Sequence, residues 1–220
     1  MNIFKTLAIG AAVLAAVSGA QAVTISTYDM TNAQPSGTGG WSFTYMGGTI
    51  VGNNYTGGSG TLNDGIIPTD ANNNELFFLA DAPTITLHLA AASTISAIRL
   101  DGGNYPGNSI PGTLTGWTVT IGANTAAFTS VNTGSSVCTS GFLCDNIVSL
   151  TGSGLDLLST NTITLSQFTG TGGGGGWFNI GEVELNGASA PAVPEPETYA
   201  LMLAGLAAMG GVVRRRQTAR

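Results

Sequence analysis

The sequence predicts an all-β protein, an antiparallel β-sandwich of the jelly-roll type. Three observations carry this expectation. No segment between residues 23 and 193 sustains a helical period. Short runs rich in β-branched and aromatic residues recur instead, separated by Gly, Asn and Pro, which is the spacing of a sandwich or jelly roll. Within the runs the pattern has period two: Ile85, Leu87 and Leu89 face one way and Thr86 and His88 the other, and Ile163 and Leu165 point together.

Taken in order, strands are expected over 23–28, 41–46, 75–79, 84–89, 94–100, 117–121, 125–129, 161–168 and 177–185. Trp41, Trp117 and Trp177 sit in these runs and are expected in the core. The glycine run 172–176 lacks the Lys and Ser/Thr of a phosphate loop, so it reads as a loop before the last strand. No internal repeat is present. With charged residues at only 8%, the surface must be soluble through hydroxyl and amide groups.

The two ends carry different signals. Lys5, the apolar stretch 6–19 and the small-x-small site Ala20-Gln21-Ala22 read as a secretory signal peptide over 1–22, with Val23 the first mature residue. At the other end, Pro194 and Pro196 prevent regular structure and present Glu195 on an extended peptide. The run 199–213 then contains no charge, and Arg214, Arg215 and Arg216 close it. As a helix those residues span roughly 22 Å, against about 30 Å of hydrocarbon. This layout over 194–216 resembles the PEP-CTERM sorting domain of Gram-negative bacteria, with Pro194-Glu195-Pro196 as signature. The resemblance implies export and recognition by an exosortase. It also implies a transient stay in the inner membrane with the Arg cluster on the cytoplasmic side, and a destination at the cell surface or in extracellular polysaccharide.

Between the signals, 23–187 makes one domain of ordinary size and 188–193 a small, proline-bearing linker. From 23 to 193 Arg99 is the sole cation and faces ten carboxylates, leaving −9. Such a balance excludes nucleic acid as a partner, because phosphate would meet repulsion where it needs neutralisation. Cys138 and Cys144 are the only cysteines, with five residues between them. In an exported chain a local disulfide is expected, stabilising by about 2 kcal/mol through loop closure.

Three pieces of the middle are familiar together. Leu62-Asn63-Asp64-Gly65 follows a glycine-rich loop, Thr84-Ile-Thr-Leu-His-Leu89 leads to Thr94-Ile-Ser-Ala-Ile-Arg-Leu100, and the domain ends in Trp177-Phe-Asn-Ile-Gly-Glu-Val-Glu-Leu185. This ordered set resembles the discoidin-like, galactose-binding-like domain of coagulation factors and carbohydrate-binding modules. The resemblance implies an eight-stranded jelly roll and a structural calcium ion. Its matching ligands are Asp64, Thr69 and Glu182, with carbonyls from Thr61, Ile66 and Gly181. Calcium accepts that mixture of carboxylates, hydroxyl and carbonyls, and Gly65 lets the turn fold back so that carbonyls converge. The same resemblance implies carbohydrate binding through loop aromatics. Tyr55, Asn104 and Tyr105 are the loop candidates, and Arg99 is the cation to test beside them.

Catalysis would need a convergent set of groups, and none is visible. There is no Gly-x-Ser-x-Gly elbow, no nucleophile with a His partner, and no pair of carboxylates singled out by spacing. His88, the single histidine, lies on the polar face of its strand. The expectation is an exported, non-catalytic protein that binds carbohydrate of the extracellular polysaccharide, or a structural matrix component without a ligand site.

Overall fold

The computed structural model describes residues 21–33, 41–69, 73–103, 110–132, 143–173, 176–189 and Gly205. The chain divides into two units, Met1–Ser189 and Ala190–Arg220. Of the second unit only Gly205, which is helical, is described. The expected apolar helix, the sorting residues Pro194, Glu195 and Pro196, and Arg214, Arg215 and Arg216 therefore lie outside the described residues, as does most of the signal peptide. Among the described residues no helix is long and apolar enough to cross a membrane.

The first unit is antiparallel β-structure in open sheets. Its strands are β1 (Gln21–Val23), β2 (Ile25–Met30), β3 (Tyr45–Val51), β4 (Asn54–Gly60), β5 (Glu75–Phe77), β6 (Ile85–Gly103) and β7 (Leu114–Ile121). They continue as β8 (Asn124–Thr129), β9 (Val131–Asn132), β10 (Leu143–Ser149), β11 (Thr160–Gly170), β12 (Phe178–Ile180) and β13 (Glu182–Ser189). One connected sheet runs β3-β4-β2-β6-β11-β7-β8, with β13 and β10 also joined to β6, while β5 and β12 form a separate ribbon.

The two strands expected over 84–89 and 94–100 are one strand of 19 residues, β6. Its first half pairs with β2 and β11, and its second half with β10 and β13. The exchange happens at a bulge, where residues 89–92 of β6 stand against Asn161 alone. The connected sheet thus has two leaves that share β6. Both feed one core: Ile85, Leu87 and Leu89 from the first half cluster with Ile95, Ile98 and Leu100 from the second. Alternation carries the apolar side from Ile85 to Ile95, and a register shift between the pairs Ile95–Gly187 and Ala97–Asn186 then brings Ile98 and Leu100 to the same side.

Other departures from expectation have local causes. The hairpin β3–β4 includes Asn-Tyr-Thr-Gly-Gly-Ser-Gly, which reads as loop in sequence. It pairs as a strand because Tyr55 packs inward over glycine: a Cβ on Gly58 would lie 1.9 Å from the Tyr55 hydroxyl. The expected last strand, 177–185, is broken at Gly181 into β12 and β13. There a Cβ would lie 2.2 Å from Asn74 Oδ1, so only glycine fits between the ribbon and the sheet. Trp41 and Trp117 are buried as expected, whereas Trp177 is half-buried.

Neighbouring residues of β6 should respond very differently to truncation. Leu87→Ala removes a side chain with no exposure and should cost about 2–5 kcal/mol, while Thr86→Ala on the outer face should cost less than about 1 kcal/mol. Urea unfolding of the two variants checks both values.

Candidate functional site

The segment after β4 builds a cleft of about 560 Å³. The turn is held from both sides. Asn63 N–H donates to Gly60 O at 2.9 Å, Gly60 N–H to Asn63 Oδ1 at 3.0 Å, and Ile66 N–H to Asp64 Oδ1 at 2.8 Å. Such side-chain bonds back to the main chain are the reason Asn and Asp stabilise turns. Val183 N–H donates to Leu62 O at 2.9 Å, and Gly65 N–H to Glu182 Oε2 at 3.2 Å, so β13 anchors the turn. Thr44 N–H donates to Thr61 Oγ1 at 2.9 Å on the other flank. Ser42, Thr44, Thr69 and Asn73 then line the cleft beside Asp64, and Ile66 and Ile67 form an apolar wall that is 67% and 39% exposed.

Below the cleft lies a polar interior. Glu182 is 4% exposed and within hydrogen-bonding reach of Asp64. Burial, then the Asp64 charge, push the Glu182 carboxyl up to about 8, although the Gly65 N–H works in the other direction. Glu182 is therefore mainly protonated at neutral pH. Glu75, fully buried, accepts from the Tyr45 hydroxyl. Burial, and then the Glu75 charge, raise the Tyr28 phenol well above its ordinary range. Both amide atoms of Asn74 are buried without a hydrogen-bond partner among the described residues.

A second cluster crosses three strands. Asp145 of β10, Asp101 of β6 and Glu182 of β13 stand in one row, and Arg99 and Glu184 in the next. Directly opposed residues share a face, so these charges converge. Arg99 donates to Glu184 at 2.6 Å, Asp145 at 2.8 Å and Asp101 at 2.9 Å. Burial opposes its charge, but Asp101, Glu184 and Asp145 outweigh that and hold Arg99 above its ordinary value. For Asp101, burial and hydrogen bonding with Asp145 push the carboxyl up to about 7 against the pull of Arg99.

Several sequence expectations are corrected here. Tyr55 is no loop-tip platform: it is 1% exposed, donates to Ser59 O at 2.6 Å, and its ring packs on Tyr28 and Tyr45. Arg99 is consumed by three carboxylates on a sheet face. Asn104 and Tyr105 lie outside the described residues. The expected calcium site is not found, for no group of three or more His, Cys, Asp or Glu that could hold a metal ion exists among the described residues. Of its expected ligands, Thr61, Asp64, Ile66 and Thr69 line the cleft, while Gly181 and Glu182 stand where β12 gives way to β13. Asp64 and Glu182 do come within hydrogen-bonding reach, and Glu182 also accepts from Gly65 N–H at 3.2 Å. Nor is the Cys138–Cys144 disulfide found among the described residues. Cys138 lies outside them, and the backbone of Cys144 is committed to β10 opposite Gly102. His88 pairs with Asp29 at 2.9 Å. Asn74 and Glu75 were missed in sequence; the clue was an amide and a carboxylate opening the apolar run Leu76-Phe77-Phe78-Leu79.

The fold is that of an antiparallel β-sheet protein, and comparison supplies its address. A model of the PEP-CTERM protein-sorting motif matches residues 192–217. That motif marks an exported bacterial protein bound for the cell surface or extracellular space and handled by an exosortase-type enzyme; it is an address without catalytic chemistry. No curated protein matches the chain.

Two measurements test the electrostatics. A carboxyl whose pKa is raised on folding binds more protons in the native state, so stability is greatest below the unfolded value and falls as pH rises. The thermal midpoint should therefore decline from pH 4.5 to about 8 through Glu182, with Asp101 contributing from 3.8 to about 7. Glu182→Gln should flatten the upper part of that decline. Arg99→Met should cost about 3–5 kcal/mol in chemical unfolding, because it leaves buried carboxylates without their cation.

Proposed function

We propose that the protein is a non-catalytic component of the cell surface or extracellular matrix that binds carbohydrate of the extracellular polysaccharide. The observation that carries this reading is the cleft after β4. Hydroxyls of Ser42, Thr44 and Thr69, the Asn73 amide and the Asp64 carboxylate stand around the exposed Ile66–Ile67 wall. A sugar ring offers a C–H face to such a wall and a rim of hydroxyls to such donors and acceptors. The turn Leu62-Asn63-Asp64-Gly65, seated on Gly181-Glu182-Val183-Glu184, supports kinship with galactose-binding-like modules. The sorting motif supports the location, where polysaccharide is the abundant partner.

The test is binding of the chain to purified extracellular polysaccharide of the producing cells, followed by calorimetry. Asp64→Asn should weaken saturable binding roughly ten-fold, as expected for a hydrogen bond to a charged group. Thr69→Arg, which fills the cleft from an exposed position, should reduce it further at an unchanged thermal midpoint. Absence of binding by the unaltered chain would leave a structural matrix role.

A further inference from the structure

Both side chains that could supply a positive charge to the domain are already committed elsewhere. From residue 23 to 193 the sequence holds Arg99 and His88 and no lysine. Arg99 serves Glu184, Asp145 and Asp101 at 2.6, 2.8 and 2.9 Å, and His88 pairs with Asp29 at 2.9 Å. Neither lines the cleft after β4, where Asp64 is the one charged side chain. Asp64 is exposed and has no ion pair among the described residues. Its countercharge has to come from outside the domain. Among the described residues no group of three or more His, Cys, Asp or Glu could hold a metal ion, which leaves an organic cation as the matching partner.

The surroundings of Asp64 define that cation further. Its Oδ1 accepts from Ile66 N–H at 2.8 Å, which fixes the carboxylate beside the exposed Ile66–Ile67 wall. A carboxylate has about four acceptor positions, so capacity remains for a ligand. Exposed Ser42, Thr69 and Asn73 add oxygen acceptors around the same space. A primary ammonium carries three donors and no acceptor, and its hydrogen bonds to a carboxylate are roughly twice as strong as neutral ones. A uronate or sulfate would instead bring an anion to a cleft lined by no cation, in a domain of net charge −9.

We propose that the cleft selects sugar units bearing a free ammonium over N-acetylated and acidic ones, with Asp64 as the specificity-determining residue. The proposal deepens the carbohydrate reading of this cleft and rests on it. An amino sugar offers its C–H face to Ile66 and Ile67 and its ammonium to Asp64. The negative charge of the domain draws a polycationic segment in, and the cleft seats one unit of it.

The experiment uses the full chain, calorimetry, a chelator, and mildly acidic buffer in which the sugar amines are protonated. Its probes are oligosaccharides of equal length built from glucosamine, from N-acetylglucosamine and from galacturonate. The glucosamine probe should bind roughly ten-fold more tightly than the acetylated one, and galacturonate not measurably. The preference should shrink as salt is raised. Asp64→Asn retains an oxygen for the Ile66 N–H and should bring the first two probes to the same affinity. Asp81→Asn removes an equal charge from an exposed position outside the cleft and should leave the preference intact. Equal losses in Asp64→Asn and Asp81→Asn would overturn the proposal in favour of diffuse charge attraction. Equal binding of glucosamine and N-acetylglucosamine by the unaltered chain, or tighter binding of galacturonate, would overturn it and leave the carbohydrate reading standing. So would binding of the producing cells' polysaccharide with none of the three probes. No binding of that polysaccharide or of any probe would remove both.

Discussion

The structure depends on β6 belonging to two leaves at once. A strand of 19 residues that changes partners at residues 89–92 cannot be removed from either leaf without opening the other. Its inward residues, Ile85 and Leu87 before the bulge and Ile98 and Leu100 after it, have no exposure and belong to one core. A second register shift, between the pairs Ile95–Gly187 and Ala97–Asn186, resets the alternation so that Ile98 and Leu100 bury against the same interior as Ile85 and Leu87.

The second half of β6 also carries the charge problem of the domain. One guanidinium serves three carboxylates there, and Arg99 Nε and Asp101 Oδ2 are still buried without a partner. With so few cations in the chain, protons replace them: Glu182 and Asp101 are both displaced toward their neutral forms by burial and a neighbouring carboxyl group. Packing is thereby coupled to pH, and the turn that Glu182 holds through Gly65 is the wall of the cleft.

The cleft lies after a glycine-rich strand whose only large side chain, Tyr55, turns inward to pack on Tyr28 and Tyr45. The one aromatic residue in its lining, Phe43, is buried, so the cleft surface is hydroxyl, amide, carboxylate and aliphatic.

The sequence by itself determined the class of fold and the address. Alternation in 84–89 and 162–165 needs no tertiary information, because side-chain direction in a strand is a local property. The proline-flanked Glu195, the apolar run and Arg214 to Arg216 were legible for the same reason: such signals are read as linear peptide. Leu62-Asn63-Asp64-Gly65 and Glu182 lie beside each other, with Gly65 N–H on Glu182 Oε2, but not as the calcium site expected from sequence. What they form there was not legible, since whether two carboxyl groups hold a cation or a proton depends on burial and on the ligands around them. Tyr55 misled because a glycine-rich run looks like a loop until a ring is seen packed over it. Arg99 gave no hint of three partners, for they come from β6, β10 and β13, and cross-strand register is decided only when the leaves assemble.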